Sequence, residues 1–252
     1  MINILLSGAS GKMGRVISRL VQNDETAAIC GGIDINTEKY DSFPIYPSPD
    51  TYEGGCDVIV DFSHPSVFKP LLNFALEKKY PIVVCTTGLS EDDKELLKKA
   101  SEEIPVFFSA NMSLGVNLLI DLAKKATTIL EENFDIEIVE RHHNQKIDAP
   151  SGTALAIADA IADASCDNKN YVYDRHSVRR KRSKDEIGIH AVRGGTIVGE
   201  HEVIFAGTDE IIEIKHTAMS KEVFAVGAIK AAKFLKDKPA GYYSMNDLIS
   251  EY

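Results

Sequence analysis

The sequence predicts an α/β protein made of a doubly wound parallel sheet and a second, α+β part whose sheet is mixed or antiparallel. Three observations carry that expectation. Strands and helices alternate up to about residue 110, a glycine-rich turn separates the first strand from the first helix, and from about residue 187 strands follow one another with no helix between them. A chain of 252 residues is long enough for each part to bury its own core.

Residues 2–6, INILL, form a short apolar run ended by Ser-Gly. From Lys12 to Val21 the apolar positions Met13, Val16, Ile17, Leu20 and Val21 recur at helical spacing. The alternation continues with strands at 27–34, 57–62, 81–87 and 105–110, and with helices at 67–79 and 91–103. A long helix over 116–131 precedes DIEIVER at 135–141, where Ile136 and Ile138 alternate with acids as in a strand having one wet face. A helix over 153–164 and strands within 187–195, 196–207 and 210–218 follow. The closing helix, 223–236, is read as returning to the first part, which makes that domain discontinuous: 1–113 with 222–252, against 114–221 for the second domain.

Composition narrows the function. A formal net charge of −10 argues against a general nucleic-acid or anionic-membrane binder, because phosphate binding needs a positive face. No apolar run approaches the roughly 20 residues of a membrane span, and MINILLSGAS lacks the positive region of a secretory signal. Cys30, Cys56, Cys85 and Cys166 are widely spaced, so neither a zinc ribbon nor a disulfide framework is expected and a reducing cytoplasm fits. One stretch departs from the acidic average: Arg175 to Lys184 packs six cations into ten residues. Its plain reading is a solvated loop, and its functional reading is the steering of a small acidic ligand.

GASGKMG sets Gly8, Gly11 and Gly14 directly between the first strand and the first helix. That position puts bare backbone amides and the positive end of a helix dipole where a pyrophosphate can sit, the arrangement of a Rossmann-type domain. The spacing is G-x-x-G-x-x-G, a variant of the commoner fingerprint, and a purely structural turn is the alternative. Asp34, at the end of the second strand, is placed to accept hydrogen bonds from the adenosine ribose, or else only forms a turn there. Its neighbour Ile35 offers no cation to a 2′-phosphate, so NADH is expected to bind at least as well as NADPH. The later strand ends carry Cys85 to Gly88 and Ser109 to Ser113, which are expected to line the nicotinamide half of the crevice.

ERHHNQKIDAPSGTA, residues 140–154, gathers two histidines, a lysine and a helix start. Ser151 is a candidate N-cap, leaving the amides of Gly152 and Thr153 for a carboxylate, with Lys146, His142 and His143 within reach. Such a loop suits holding an anionic small molecule and handing it a proton. Zinc is a poorer reading, because adjacent histidines on an extended strand point to opposite sides. A strand end with a solvated lysine is the bland one.

These blocks, together with DFSHP, CTTG, ANMSLGVN, IGIHAVRGGTIVGEHEVIF and GAIKAA in the same order, resemble the 4-hydroxy-tetrahydrodipicolinate reductase family over the whole chain. The resemblance implies that NADH or NADPH reduces a cyclic hydroxy-imine dicarboxylate with loss of water, in the diaminopimelate route to lysine. It implies His142 as proton donor or acceptor, Lys146 as proton donor, His143 as a substrate contact, and Ser151, Gly152 and Thr153 as the carboxylate site. On the cofactor side it implies Gly8, Ala9, Ser10, Gly11, Lys12 and Met13 around the pyrophosphate and Asp34 at the ribose. Cys85, Thr86 and Thr87, with Ser109, Ala110, Asn111 and Met112, would border the nicotinamide. No metal is implied. The first domain would bind dinucleotide, and the second would bind substrate and pair into a homotetramer. The chain departs from the family pattern at Cys85 (commonly Gly), Met112 (often Phe), His64 (often Arg) and Lys221 (usually Arg).

Other classes fare worse. No tyrosine has lysine four residues later, as a short-chain dehydrogenase requires, and Cys166, in a polar loop, has no adjacent base to make it a nucleophile. A non-catalytic NAD-binding sensor remains as the alternative from a different class.

Overall fold

The computed structural model describes residues 1–251. In chain order the elements are β1 (Ile2–Ser7), α1 (Lys12–Gln22), β2 (Ala27–Ile33), β3 (Ile45–Tyr46), β4 (Val58–Asp61), α2 (Pro65–Lys78), β5 (Ile82–Val84), α3 (Glu91–Ala100), β6 (Pro105–Phe108), α4 (Leu114–Leu130), β7 (Asp135–His142), α5 (Gly152–Ala164), β8 (Asn170–Val172), β9 (Glu186–Arg193), β10 (Gly199–Ala206), β11 (Ile211–Ala218), α6 (Glu222–Leu235), β12 (Gly241–Tyr243) and α7 (Met245–Ile249). They fall into two compact units, Met1–Leu114 with the segment from Glu222 onward, and Gly115–Lys221.

The first unit is a seven-stranded sheet in the order β12-β6-β5-β4-β1-β2-β3, parallel throughout. Its central strands are apolar on both faces because helices cover both. Ile4 and Leu6 face α1 and α6, where Ala225, Ala228 and Ala232 let the helix approach closely, while Leu5 between them faces Phe68 and Leu71 of α2. The alternation read from the sequence is thus that of a doubly wound sheet. Capping chemistry fixes the helix starts: α2 opens with Pro65 behind the His64 ring, and α3 carries a Ser90–Asp93 capping box, three acids in its first turn and Lys98 and Lys99 in its last. The third expected helix ends at Ala100 rather than Glu103, because Ser101 to Ile104 close a turn on the last helical carbonyls.

The second unit is a five-stranded mixed sheet, β11-β10-β7-β9-β8. β10 runs antiparallel to β7 and β11, whereas β7, β9 and β8 run parallel. A parallel pair needs a crossover, and α5 provides it between β7 and β9. One sheet face packs Ile136, Ile138, Ile189 and Phe205 against Leu119 of α4 and Ile157 of α5. β3, β8, β12 and α7 are additional to the elements read from the sequence; the three strands are two or three residues long, too short for a period to show.

Candidate active site

In the first unit, the chain leaves β1 through Gly8 at φ +77°, and the Gly8 amide donates to the Ile33 carbonyl at 2.9 Å. A Cβ on Gly8 would lie 2.6 Å from the Phe62 carbonyl oxygen, and one on Gly14 would lie 2.3 Å from that of Gly8. The turn is therefore closely packed on its own backbone, and α1 follows its N-cap Gly11 with no side-chain cap on its first amides. Asp34 ties this turn to the next loop: Oδ2 accepts the Ser10 amide and Oδ1 the Asn36 amide, both at 3.0 Å. The Tyr40 hydroxyl braces the Ala9 carbonyl, and the Arg15 guanidinium lies 4.2 Å above the Tyr40 ring.

A cavity of about 390 Å3 opens over Gly8, Gly11, Asp34 and His64, and a second, of about 360 Å3, over Met13, Cys85, Thr86, Thr87, Ala110 and Met112. Phe62 and Ser63 line both. These cavities sit at the carboxyl ends of β1, β4, β5 and β6, where open α/β sheets bind ligands. Ala9 is buried beneath the turn, Lys12 is exposed, and Ser109 and Asn111 close their own loop, with the Ser109 hydroxyl donating to the Asn111 carbonyl at 2.8 Å. Burial raises the Cys85 thiol well above its ordinary range, with Asp61 adding to the effect, so Cys85 serves here as a small apolar wall. The cradle, the uncapped helix start and the paired cavities fit a dinucleotide.

In the second unit, the strict alternation of β7 puts Ile136, Ile138, Glu140 and His142 on its buried face. Glu140 is fully buried and its carboxylate takes four hydrogen bonds. Oε1 accepts from Arg193 Nη2 at 2.7 Å and from the Ser151 amide at 3.0 Å; Oε2 faces Arg193 Nη1 at 2.7 Å and His142 Nδ1 at 2.6 Å. Burial pushes this carboxyl upward, but the Arg193 fork, His142 and the Ser151 amide outweigh it and hold it below the usual range. His142 is displaced downward, first by burial, against the opposing pull of Glu140.

Ser151 caps α5 as expected: its hydroxyl accepts the Ala154 amide at 3.1 Å and lies 3.0 Å from His201 Nε2. His201, on β10, is the cross-strand partner of both Glu140 and His216, and its ring stands edge-on to His142 with centroids 5.1 Å apart. Lys146 reaches the Asp148 carboxylate at 2.9 Å, and the Gly152 amide contributes to the same carboxylate. His143 joins the group through its carbonyl, which accepts the Lys146 amide, while its Nδ1 is buried without a partner. The loop is pinned from β9, because the Gly194 amide donates to the His142 carbonyl and Arg193 Nη2 to the Asp148 carbonyl.

The structure thus brings His142, Ser151 and Glu140 together, with Lys146 and Gly152 meeting at Asp148. Glu140, Arg193 and His201 were absent from the sequence reading, although an acid in phase with Ile136 and Ile138 signals a buried, paired carboxylate. The basic run also has an account: Arg175 and Arg182 pair with Glu137, Arg180 with Glu186 and Lys184 with Asp135, so four of its cations serve acids of the second unit's own sheet. Among the described residues no group of His, Cys, Asp and Glu is arranged to hold a metal, and no helix is long and apolar enough to cross a membrane.

Comparison with known proteins covers the whole chain. The family model for the dihydrodipicolinate reductase N-terminus matches residues 2–112, and that for its C-terminus matches residues 115–249. The 4-hydroxy-tetrahydrodipicolinate reductase of Clostridium tetani is 48% identical over 99% of this chain and 98% of its own length. That of Caldanaerobacter subterraneus is 50% identical over 100% of this chain and 99% of its own. Among solved structures, the dipicolinate-bound dihydrodipicolinate reductase from Paenisporosarcina superposes with a TM-score of 0.82 over 98% of this chain and 99% of that one; at 24% identity it speaks to the fold.

Proposed function

The chain belongs to the 4-hydroxy-tetrahydrodipicolinate reductase family and is an enzyme of that reaction, and we propose that His142 and Lys146 carry its proton transfers. The substrate is a cyclic hydroxy-imine dicarboxylate, and the product, tetrahydrodipicolinate, forms by gain of a hydride and a proton with loss of water. NADH or NADPH supplies the hydride when bound. Gly8 to Met13 hold its pyrophosphate, Asp34 its ribose, and Cys85 to Thr87 with Ser109 to Met112 its nicotinamide. The first unit is accordingly the dinucleotide-binding domain and the second the substrate-binding domain.

Lys146 delivers the proton, and His142 exchanges one with the substrate through Nε2, because Nδ1 is engaged by Glu140. Ser151, Gly152 and Thr153 receive a substrate carboxylate at the start of α5, with His143 as a further contact. The observation that carries this reading is that Lys146 and the start of α5 meet at one exposed carboxylate, that of Asp148, while Ser151 at the same helix start shares the Glu140 carboxylate with His142. We place the protein in a reducing cytoplasm, which its four free cysteines suit. We also assign it a homotetramer built on the second unit's sheet. The edge strand β11 leaves Ile211 64% and Ile212 38% exposed, which supports pairing there, and light scattering at micromolar concentration tests it, a monomer being the contrary result.

The test of activity is loss of NADH absorbance on supply of the unstable hydroxy-imine generated by the preceding aldol condensation. Rapid oxidation above the enzyme-free rate is expected. Folded protein that binds NADH and oxidises none of it would make the chain a dinucleotide sensor instead.

A further inference from the structure

We infer that Glu140, clamped by Arg193, is the positioning residue that fixes the His142 imidazole in a single tautomer, with its proton on Nδ1 and its lone pair on Nε2. The inference deepens the proposed function and rests on His142 as a proton-transfer residue. The Glu140 carboxylate is saturated with hydrogen bonds. A carboxylate has two oxygens with two acceptor positions each and no donor of its own. At Glu140 three of those positions take the two Arg193 nitrogens and the Ser151 amide, all obligatory donors. The fourth faces His142 Nδ1 at 2.6 Å, so Nδ1 must carry the hydrogen. The Arg193 guanidinium is always charged and keeps the carboxylate from taking that hydrogen itself.

Two surrounding features agree. Ser151, the α5 cap, is bonded to the same carboxylate, so one buried group sets both the imidazole and the start of the helix. On the opposite side of the ring, a Cβ on Gly199 would stand 3.2 Å from His142 Nε2, so glycine there keeps a side chain from pressing on that nitrogen. A proton arriving at Nε2 produces an imidazolium whose charge Glu140 balances at once, and its departure restores the same tautomer without rotation of the ring. Glu140 does not exchange a proton with substrate; it acts through His142.

Nitrogen NMR of protein labelled with 15N-histidine tests this, the His142 signals being assigned by their loss in His142→Gln. In the wild type at neutral pH, Nδ1 is expected to show the protonated shift and Nε2 the unprotonated one; the reverse pattern overturns the inference with no variant needed. In Glu140→Gln an amide nitrogen must face one of the Arg193 donors, so the clamp fails. A mixed or reversed tautomer is expected, with kcat lower by about 10²- to 10⁴-fold and NADH affinity unchanged, since an amide behind a catalytic histidine acts through the wrong tautomer. If His142→Gln is slow but Glu140→Gln keeps wild-type turnover and tautomer, the inference falls alone. If His142→Gln turns over like the wild type, the role given to His142 falls first, and the inference with it.

Discussion

Lys146 reaches Asp148 across 2.9 Å, with the lysine side chain 22% exposed and the acid 56% exposed. The Asp148 carboxyl is held below its ordinary range, first by its bond to Lys146, and the Gly152 amide contributes in the same sense. A carboxylate of the chain itself therefore rests on the ammonium and helix start that the proposal assigns to the substrate. Lys146→Ala is expected to lower kcat by about 10²- to 10⁴-fold if this group delivers a proton. NADH affinity, read by fluorescence titration, is expected to stay within about twofold of wild type. Undiminished turnover would remove Lys146 from the mechanism.

Acid should destabilise the second unit. His201 is 4% exposed, and burial, aided by the neighbouring His142, pushes its imidazole from the ordinary 6.5 down to about 4. The unfolded chain then binds the proton more readily than the folded one. The stabilisation is fully present above about pH 6.5 and is lost as pH falls toward 4, a difference on the order of 3 kcal/mol at 1.36 kcal/mol per pH unit. His142 and His216 are shifted in the same direction by burial. Melting temperatures at fixed protein concentration are expected to drop between about pH 7 and about pH 4.5, and less steeply in His201→Gln. A flat profile in the wild type would contradict the burial argument.

Gly14 is the least replaceable member of the turn. A Cβ there would sit 2.3 Å from the Gly8 carbonyl oxygen and 2.4 Å from that of Ala9, both backbone atoms that cannot step aside without opening the loop. Gly14→Ala is expected to cost roughly 2–3 kcal/mol in denaturant unfolding and to weaken NADH binding at least about tenfold, since the same backbone is the one proposed to hold the pyrophosphate. Wild-type affinity in this variant would mean the turn is structural only.

Coenzyme choice follows from Asp34. Both its oxygens already accept backbone amides, which fixes the carboxylate beside the expected ribose, and the adjoining Ile35 is 91% exposed and uncharged. His64, lining the same cavity, uses Nδ1 to accept the Ser66 amide at the start of α2. A 2′-phosphate would meet the Asp34 charge, and the Arg15 guanidinium at the same turn is already engaged by the Ser10 carbonyl and the Tyr40 ring, so the KM for NADH is expected to be no higher than that for NADPH. A strong preference for NADPH would show that another cation takes the phosphate.

The first unit was legible because its signals are local. The G-x-x-G-x-x-G turn, the stripe of Met13, Val16, Ile17, Leu20 and Val21, and the apolar strand runs each lie within one element, and the parallel sheet follows from their order. The Ser151 cap was legible for the same reason. Arg193 was not, because it meets Glu140 only after a parallel crossover that brings residues 53 apart into register beside β7. The basic run admits two readings from sequence, a solvated loop or the steering of an acidic ligand, and its ion pairs with Glu137 and Glu186 depend on β7 and β9 lying beside it in the fold.

The measurement that bears most directly on the account is a crystal structure of the protein with pyridine-2,6-dicarboxylate and NADH. It should show a carboxylate of the planar diacid on Lys146 Nζ and the amides of Gly152 and Thr153, with Asp148 displaced and His142 Nε2 turned to the ring. A diacid bound elsewhere, with Lys146 still paired to Asp148 and nothing at the start of α5, would contradict it.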